Sequence, residues 1–174
     1  SCHWANGEYI DLELVSKKCK ENKCFFIIDA TQSLGVNEHS FKKINPDFLI
    51  AAAYKWMLCP YGLAILYVSD RWFNSRPLEE TWLARDNAHN FSELVNYSDN
   101  YMPGARKFDM GQTAMPTLLP GSIIALEQIK KWGIDNISET LSSVNKKVSS
   151  GLIKYDFNVI PESKRVSHIL GVRI

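Results

Sequence analysis

Three strand-sized apolar runs lie between residues 25 and 68, and they decide most of what this chain can fold into. The first, Phe25-Phe26-Ile27-Ile28, stops at Asp29. The second, Phe48–Ala53, is introduced by Pro46-Asp47 and ends at Tyr54-Lys55. The third is Leu63–Val68. A short apolar run bounded by turn residues reads as a buried strand. Helical or turn segments feed the first two strands, which points to an α/β sheet that is mostly parallel. The loop holding Lys55, Pro60 and Gly62 is too short for a crossover helix. It permits a direct reversal, so the third strand is expected to run antiparallel to the second.

Helices are expected on either side of these strands. Leu12, Val15 and Cys19 follow Asp11, a residue suited to an N-cap, and Ile10 and Val15 are spaced as a hydrophobic staple. Residues 116–132 read as a second helix, with Gly133 at its C-terminal end. Ile137, Leu141, Val144, Val148 and Leu152 step by four, three, four and four, the period of an amphipathic helix. Phe157–Ile160 and Ser167–Arg173 are strand-like. A domain boundary is placed near Gly133. Residues 1–133 form the later part of a large domain, and residues 134–174 a connecting helix and the start of a small α/β domain. Thr31–Asn37 is read as a loop or short turn. Arg71–Gly111 is a long polar segment with many aromatic residues, and loops of that length inside a compact domain are usually functional.

Composition narrows the function classes. Hydrophobic residues at 45% and charged residues at 22% are globular values. A net charge of +1 gives no reason to expect nucleic acid or an acidic membrane as partner. No apolar run is long enough to span a bilayer as a helix. Cys2, Cys19, Cys24 and Cys59 form neither a CxxC pair nor a zinc spacing, so reduced thiols and a cytoplasmic location are the expectation. Both ends read as cut, and the chain is taken as part of a longer protein.

Chemistry concentrates where the first two strands end. In α/β sheets, ligands bind beyond the carboxyl ends of parallel strands. Asp29 and Lys55 each follow such a strand directly, so both side chains are expected to reach one crevice. A plain ion pair would satisfy them. A second use for the pair is pyridoxal phosphate chemistry, in which a lysine amine bonds the cofactor aldehyde and a carboxylate keeps the ring nitrogen protonated. Gln32, three residues after Asp29, is a candidate donor to the ring hydroxyl oxygen.

At this point the motifs resemble a known family. Asp11-Leu12, the stretch Ile28-Asp29-Ala30-Thr31-Gln32-Ser33-Leu34-Gly35, Pro46-Asp47-Phe48, Tyr54-Lys55-Trp56 and Pro60-Tyr61-Gly62-Leu63 occur in an order similar to that of class V aminotransferases. These are fold-type I pyridoxal-phosphate enzymes that include cysteine desulfurases, kynureninase and isopenicillin epimerase-like proteins. The resemblance continues through Arg76-Pro77-Leu78-Glu79-Glu80, Pro103-Gly104-Ala105-Arg106 and Phe108-Asp109-Met110-Gly111.

The resemblance implies a pyridoxal 5'-phosphate enzyme acting on an amino acid, with Lys55 as the catalytic Schiff-base lysine. Asp29 then partners the pyridine nitrogen and Gln32 the ring oxygen. Tyr54 takes the position where kynureninase-like members carry a Tyr that can touch the phosphate. Gly111-Gln112-Thr113 matches a segment that reaches the neighbouring subunit's phosphate, which makes Gln112 and Thr113 donors in trans and the protein a homodimer. An aminotransferase is the leading reading. A desulfurase- or kynureninase-like lyase and a catalytically silent scaffold paralogue are the alternatives. Family members place a phosphate-binding helix N-terminus and a ring-stacking residue upstream of this region, and a substrate-carboxylate arginine downstream. Cys59 stands where a glycine commonly precedes the Pro, and it reads as a small packing residue. His3, His39, His89 and His168 have no metal spacing. Arg106 is read as orienting the Gly111 loop or pairing at an interface, and Trp82 and Arg85 as loop anchors.

Overall fold

The computed structural model describes residues 2–93, 95–113 and 115–174. Helix α1, Leu12–Glu21, starts where the sequence places its cap: the Asp11 side chain accepts the Leu14 N–H at 3.0 Å. Lys18 and Lys20 in its last turn suit the negative end of the helix. Strand β1, Ile27–Asp29, follows. A short helix α2, Phe41–Ile44, then leads into β2, Phe48–Ala52, and β3, Ala64–Val68.

The three strands form one sheet in the order β1-β2-β3. β1 and β2 are parallel, with Asp29 opposite Ile50, and β2 and β3 are antiparallel, with Ala52 opposite Ala64. One face makes the core. Ile28, Leu49 and Ala51 point into it, together with Leu12 of α1 and Ile44 of α2. Ser16 of α1 ties the layers by donating to the Ile44 carbonyl at 2.5 Å.

The first run differs from the buried strand expected. Phe25 and Ile27 are 71% and 60% exposed, and Ile50 beside them is 45% exposed. α1 and α2 pack on one face only, so burial alternates along β1 as the strand period requires. Asp47 fixes the entry to β2. Its buried carboxylate accepts the Phe26 N–H at 2.7 Å and the Trp72 indole N–H at 2.6 Å, and pairs with Arg71.

Between β3 and the next long helix the chain forms short 3₁₀ turns, at Asp70–Trp72, Trp82–Ala84, Phe91–Glu93 and Gly104–Phe108. Helix α3 covers Leu119–Trp132. It starts three residues later than expected, with Pro120 in its first turn, where the missing N–H is harmless. Gly133, at φ 80°, separates it from α4, Ile134–Ile153. The two final strands are shorter than the sequence suggests: β4 is Asn158–Val159 and β5 is Val172–Arg173, antiparallel. Backbone groups just before β5 are engaged elsewhere. The Asn145 amide donates to the Ser167 carbonyl at 2.7 Å, and the Gly171 N–H donates to the Asn6 carbonyl at 3.2 Å.

Candidate active site

The carboxyl ends of β1 and β2 are tied together by the turns that follow them. Asp29, the last residue of β1, is exposed, and its Oδ1 accepts the Thr31 N–H at 2.9 Å. The Thr31 hydroxyl oxygen in turn accepts the Ala52 N–H from the end of β2 at 3.0 Å. The Trp56 indole N–H donates to Gln32 Oε1 at 3.2 Å. This bond orients the Gln32 amide and leaves its NH₂ group as the donor.

The close approach of the two turns depends on Gly35. A Cβ there would lie 2.8 Å from the Trp56 carbonyl oxygen, and its φ of 97° is a conformation that favours glycine.

Lys55 sits half-buried in the loop after β2. Two backbone bonds brace this loop, Ala53 N–H to the Leu63 carbonyl at 3.0 Å and Cys59 N–H to the Ala53 carbonyl at 3.1 Å. Tyr54 is half-buried and stacks on Tyr61, with ring centroids 4.3 Å apart and planes at 22°. The Lys55 amine lies 5.8 Å from the Tyr54 ring centre. Among the described residues no ion pair involves Asp29 or Lys55, so the two are not the simple salt-bridged pair that their types allow.

Two residues join this cluster without a signal in the local sequence. His168 is buried and its Nε2 contacts the Gln32 carbonyl oxygen at 2.6 Å, while its ring packs edge-on against Trp56 at 4.4 Å. Burial pushes the His168 imidazole below its ordinary range, although its bond to the Gln32 carbonyl opposes the shift. The Cys2 thiol also donates to that carbonyl at 3.6 Å. Trp56 belongs to the Tyr-Lys-Trp motif, but nothing in the motif marks it as the residue that sets Gln32.

Gln112 and Thr113 line a cavity of their own. Both are exposed. The cavity, of about 310 Å³, is also lined by Gly62, Ala64, Leu66 and Phe108. Asp29, Gln32, Tyr54 and Lys55 are absent from its walls. Asp29, Gln32, Tyr54 and Lys55 thus lie on two neighbouring turns joined by the Thr31–Ala52 and Gln32–Trp56 bonds, while Gln112 and Thr113 line a different surface.

The remaining candidates take structural places. Cys59 is buried in the core, and burial pushes its thiol up. His3 is exposed and its Nδ1 accepts the Ala5 N–H at 3.4 Å. Arg85 pairs with Glu80 at 2.9 Å and lies 4.3 Å from the Tyr101 ring centre. Among the described residues no group of His, Cys, Asp and Glu has a metal-binding arrangement. No described helix is long and apolar enough to cross a membrane.

Comparison with known proteins names the class that this fold and cluster define. The aminotransferase class-V family model matches residues 3–174, and the chain belongs to that family of pyridoxal-phosphate-dependent enzymes. A probable cysteine desulfurase of Pyrococcus abyssi is 28% identical over 148 residues, covering 85% of this chain and 35% of that protein. The kynureninase of Bacillus anthracis is 24% identical over 176 residues, covering 95% of this chain and 40% of that protein. The apo structure of a cysteine desulfurase from Thermococcus onnurineus NA1 superimposes with a TM-score of 0.81 at 21% identity, covering 99% of this chain and 42% of that one. The chain thus spans less than half the length of these relatives.

Proposed function

We propose that this chain forms the cofactor-binding part of an enzyme that acts on an amino acid, most closely an aminotransferase, with Lys55 as the residue that bonds pyridoxal phosphate. What supports the reading is that Asp29 ends β1 and Lys55 follows β2, its parallel neighbour, with Gln32 bonded to Trp56 beside Lys55 and no ion pair to Asp29 or Lys55 among the described residues. Asp29 keeps one carboxylate oxygen beyond its bond to Thr31, which suits a protonated ring nitrogen. Gln32 offers its NH₂, which suits a ring oxygen. Lys55 offers an amine that no described carboxylate ties up. These are the three polar complements of a pyridine aldehyde. When bound, the cofactor supplies an aldehyde that bonds amines and a ring that accepts electron density from a substrate α-carbon.

The chain's own residues then have defined tasks. Asp29 holds the proton on the ring nitrogen while negative charge develops. Lys55 Nζ carries a proton to and from the substrate α-carbon. Trp56 keeps the Gln32 amide from turning over. A desulfurase- or kynureninase-like lyase is the second reading, and the relatives with those names favour it. A silent scaffold is disfavoured because Asp29, Gln32 and Lys55 are all present.

The test is the absorbance of the full-length protein with pyridoxal phosphate, followed by borohydride and mass analysis of the Lys55 peptide. A reducible band and a modified Lys55 are expected, both lost in Lys55→Ala. Full turnover by that variant would overturn the assignment. Keto-acid formation from amino acids, against alanine or sulfide release, separates the aminotransferase from the lyases.

The proposal extends to a homodimer in which Gln112 and Thr113 serve the partner's site. Exposed apolar groups nearby support it: Phe91, 70% exposed, lines a cavity with Thr113, and Leu78, 100% exposed, neighbours Glu79. Mixing a Lys55→Ala protein with a Gln112→Ala/Thr113→Ala protein should restore activity well above either parent, because a mixed dimer holds one intact site. No recovery despite proven subunit exchange would return both residues to their own chain.

A further inference from the structure

The turn that carries Gln112 and Thr113 is bolted to a distant strip of the chain by one carboxylate. The Gly111 N–H donates to Glu79 Oε2 at 2.8 Å, across 32 residues. The strip is itself fixed. Pro77 is buried, and the Glu80 carboxylate accepts the Tyr101 hydroxyl at 2.7 Å and Arg85 at 2.9 Å and pairs with Arg76. Gly111 lies so close to this strip that an added Cβ would stand 2.7 Å from the Thr81 methyl carbon. Glu79 and the missing side chain at residue 111 together set the entry to the turn. A carboxylate is a strong acceptor for a backbone N–H, stronger than a neutral amide.

We propose that Glu79 is a positioning residue for the Gly111–Thr113 turn, and through it sets the affinity for the phosphate group that Gln112 and Thr113 contact. This rests on the assignment of Gln112 and Thr113 to a phosphate. Glu79 occupies the Gly111 N–H, so that amide is not a phosphate ligand. Among the described residues of the turn, the donors left are those of 112 and 113.

Titration of the full-length protein with pyridoxal phosphate and, separately, with pyridoxal, which lacks the phosphate, tests the proposal. Glu79→Ala should weaken pyridoxal phosphate binding about tenfold and leave pyridoxal unchanged. Glu79→Gln keeps an acceptor and should stay within about twofold of wild type. Gly111→Ala should show the same phosphate-selective loss, and Gly111→Ala/Thr81→Ser, which removes the clashing methyl, should recover part of it. Equal binding of pyridoxal phosphate by wild type and Glu79→Ala would overturn the proposal. So would an equal loss of both ligands, which would mark Glu79 as a general structural residue. A wild-type protein that binds pyridoxal as tightly as pyridoxal phosphate would instead remove the phosphate assignment on which the proposal stands.

Discussion

Lys55 follows a strand whose inward residues, Leu49 and Ala51, are 2% and 0% exposed, whereas Gly111 is held by a hydrogen bond to the exposed Glu79. The first region is fixed from beneath. Apolar side chains of β1, β2, α1 and α2 set the strand ends, and the polar groups ride on them. The second is fixed from the side, by Glu79 and by Glu80 with Arg76, Arg85 and Tyr101. Packing over a core resists salt and acid, while exposed charged networks are screened and titrate. The two halves of the proposed site are thus expected to fail under different conditions.

The largest effect should come from beneath Lys55. Leu49→Ala removes a fully buried side chain from the centre of the sheet. A loss of about 3 kcal/mol is expected from transfer and cavity terms together, measured by denaturant unfolding. A loss below about 1 kcal/mol would mean that the core does not hold the strand ends.

A smaller effect separates the regions by pH. The His168 Nε2–H donates to the Gln32 carbonyl, and Nδ1 has no partner among the described residues. Protonating Nδ1 would bury a charge with no acceptor among the described residues. The folded imidazole therefore titrates below its ordinary value, lowered by burial. With the folded value depressed, the unfolded chain binds the proton first. Stability is fully present above the ordinary histidine range, near 6.5, and falls as pH drops through the folded value. His168→Gln should flatten unfolding stability between pH 7 and pH 5, measured across about five buffers. His39 is also lowered by burial, so part of the slope should persist. An unchanged slope would remove His168 as its source.

What could be read in the sequence follows the same division. The strands were legible because apolar runs ended at polar residues, and α4 because its apolar residues keep a helical period. The antiparallel third strand followed from loop length alone. The open face of β1 was not legible, since an apolar run looks the same whether one face is covered or two. The contact of His168 with Gln32 joins residues 136 positions apart, and no local pattern announces it. Glu79 and Glu80 stand in the sequence only as part of a segment that resembles the family, with no role assigned. Their roles depend on where Gly111 and Tyr101 come to rest, which sequence periodicity does not encode. Asp47 marked a strand start in the sequence, but its service to Trp72 and Arg71 appeared only in three dimensions.

The smallest effect belongs to Glu80, and it tests whether the second region is held as loosely as its exposure implies. Arg76 hydrogen-bonds the Glu80 carboxylate, Tyr101 adds its hydroxyl, and together they hold it below the usual carboxylate range. A folded value below the unfolded one means that the pairing stabilises the protein above the unfolded value. That stability is lost as pH falls through the folded value. The pair Arg76–Glu80 is solvent-exposed on the arginine side, so its contribution is screened by salt. Glu80→Gln should therefore leave the melting temperature at pH 7 little changed in high salt and slightly lower in low salt. It should also weaken the acid-side decline below about pH 4.5. Thermal melts at two salt concentrations from neutral to acid pH read both. A drop as large as that of Leu49→Ala, insensitive to salt, would show that the Glu80 network is as firm a foundation as the core. The contrast between the two halves of the site would then collapse.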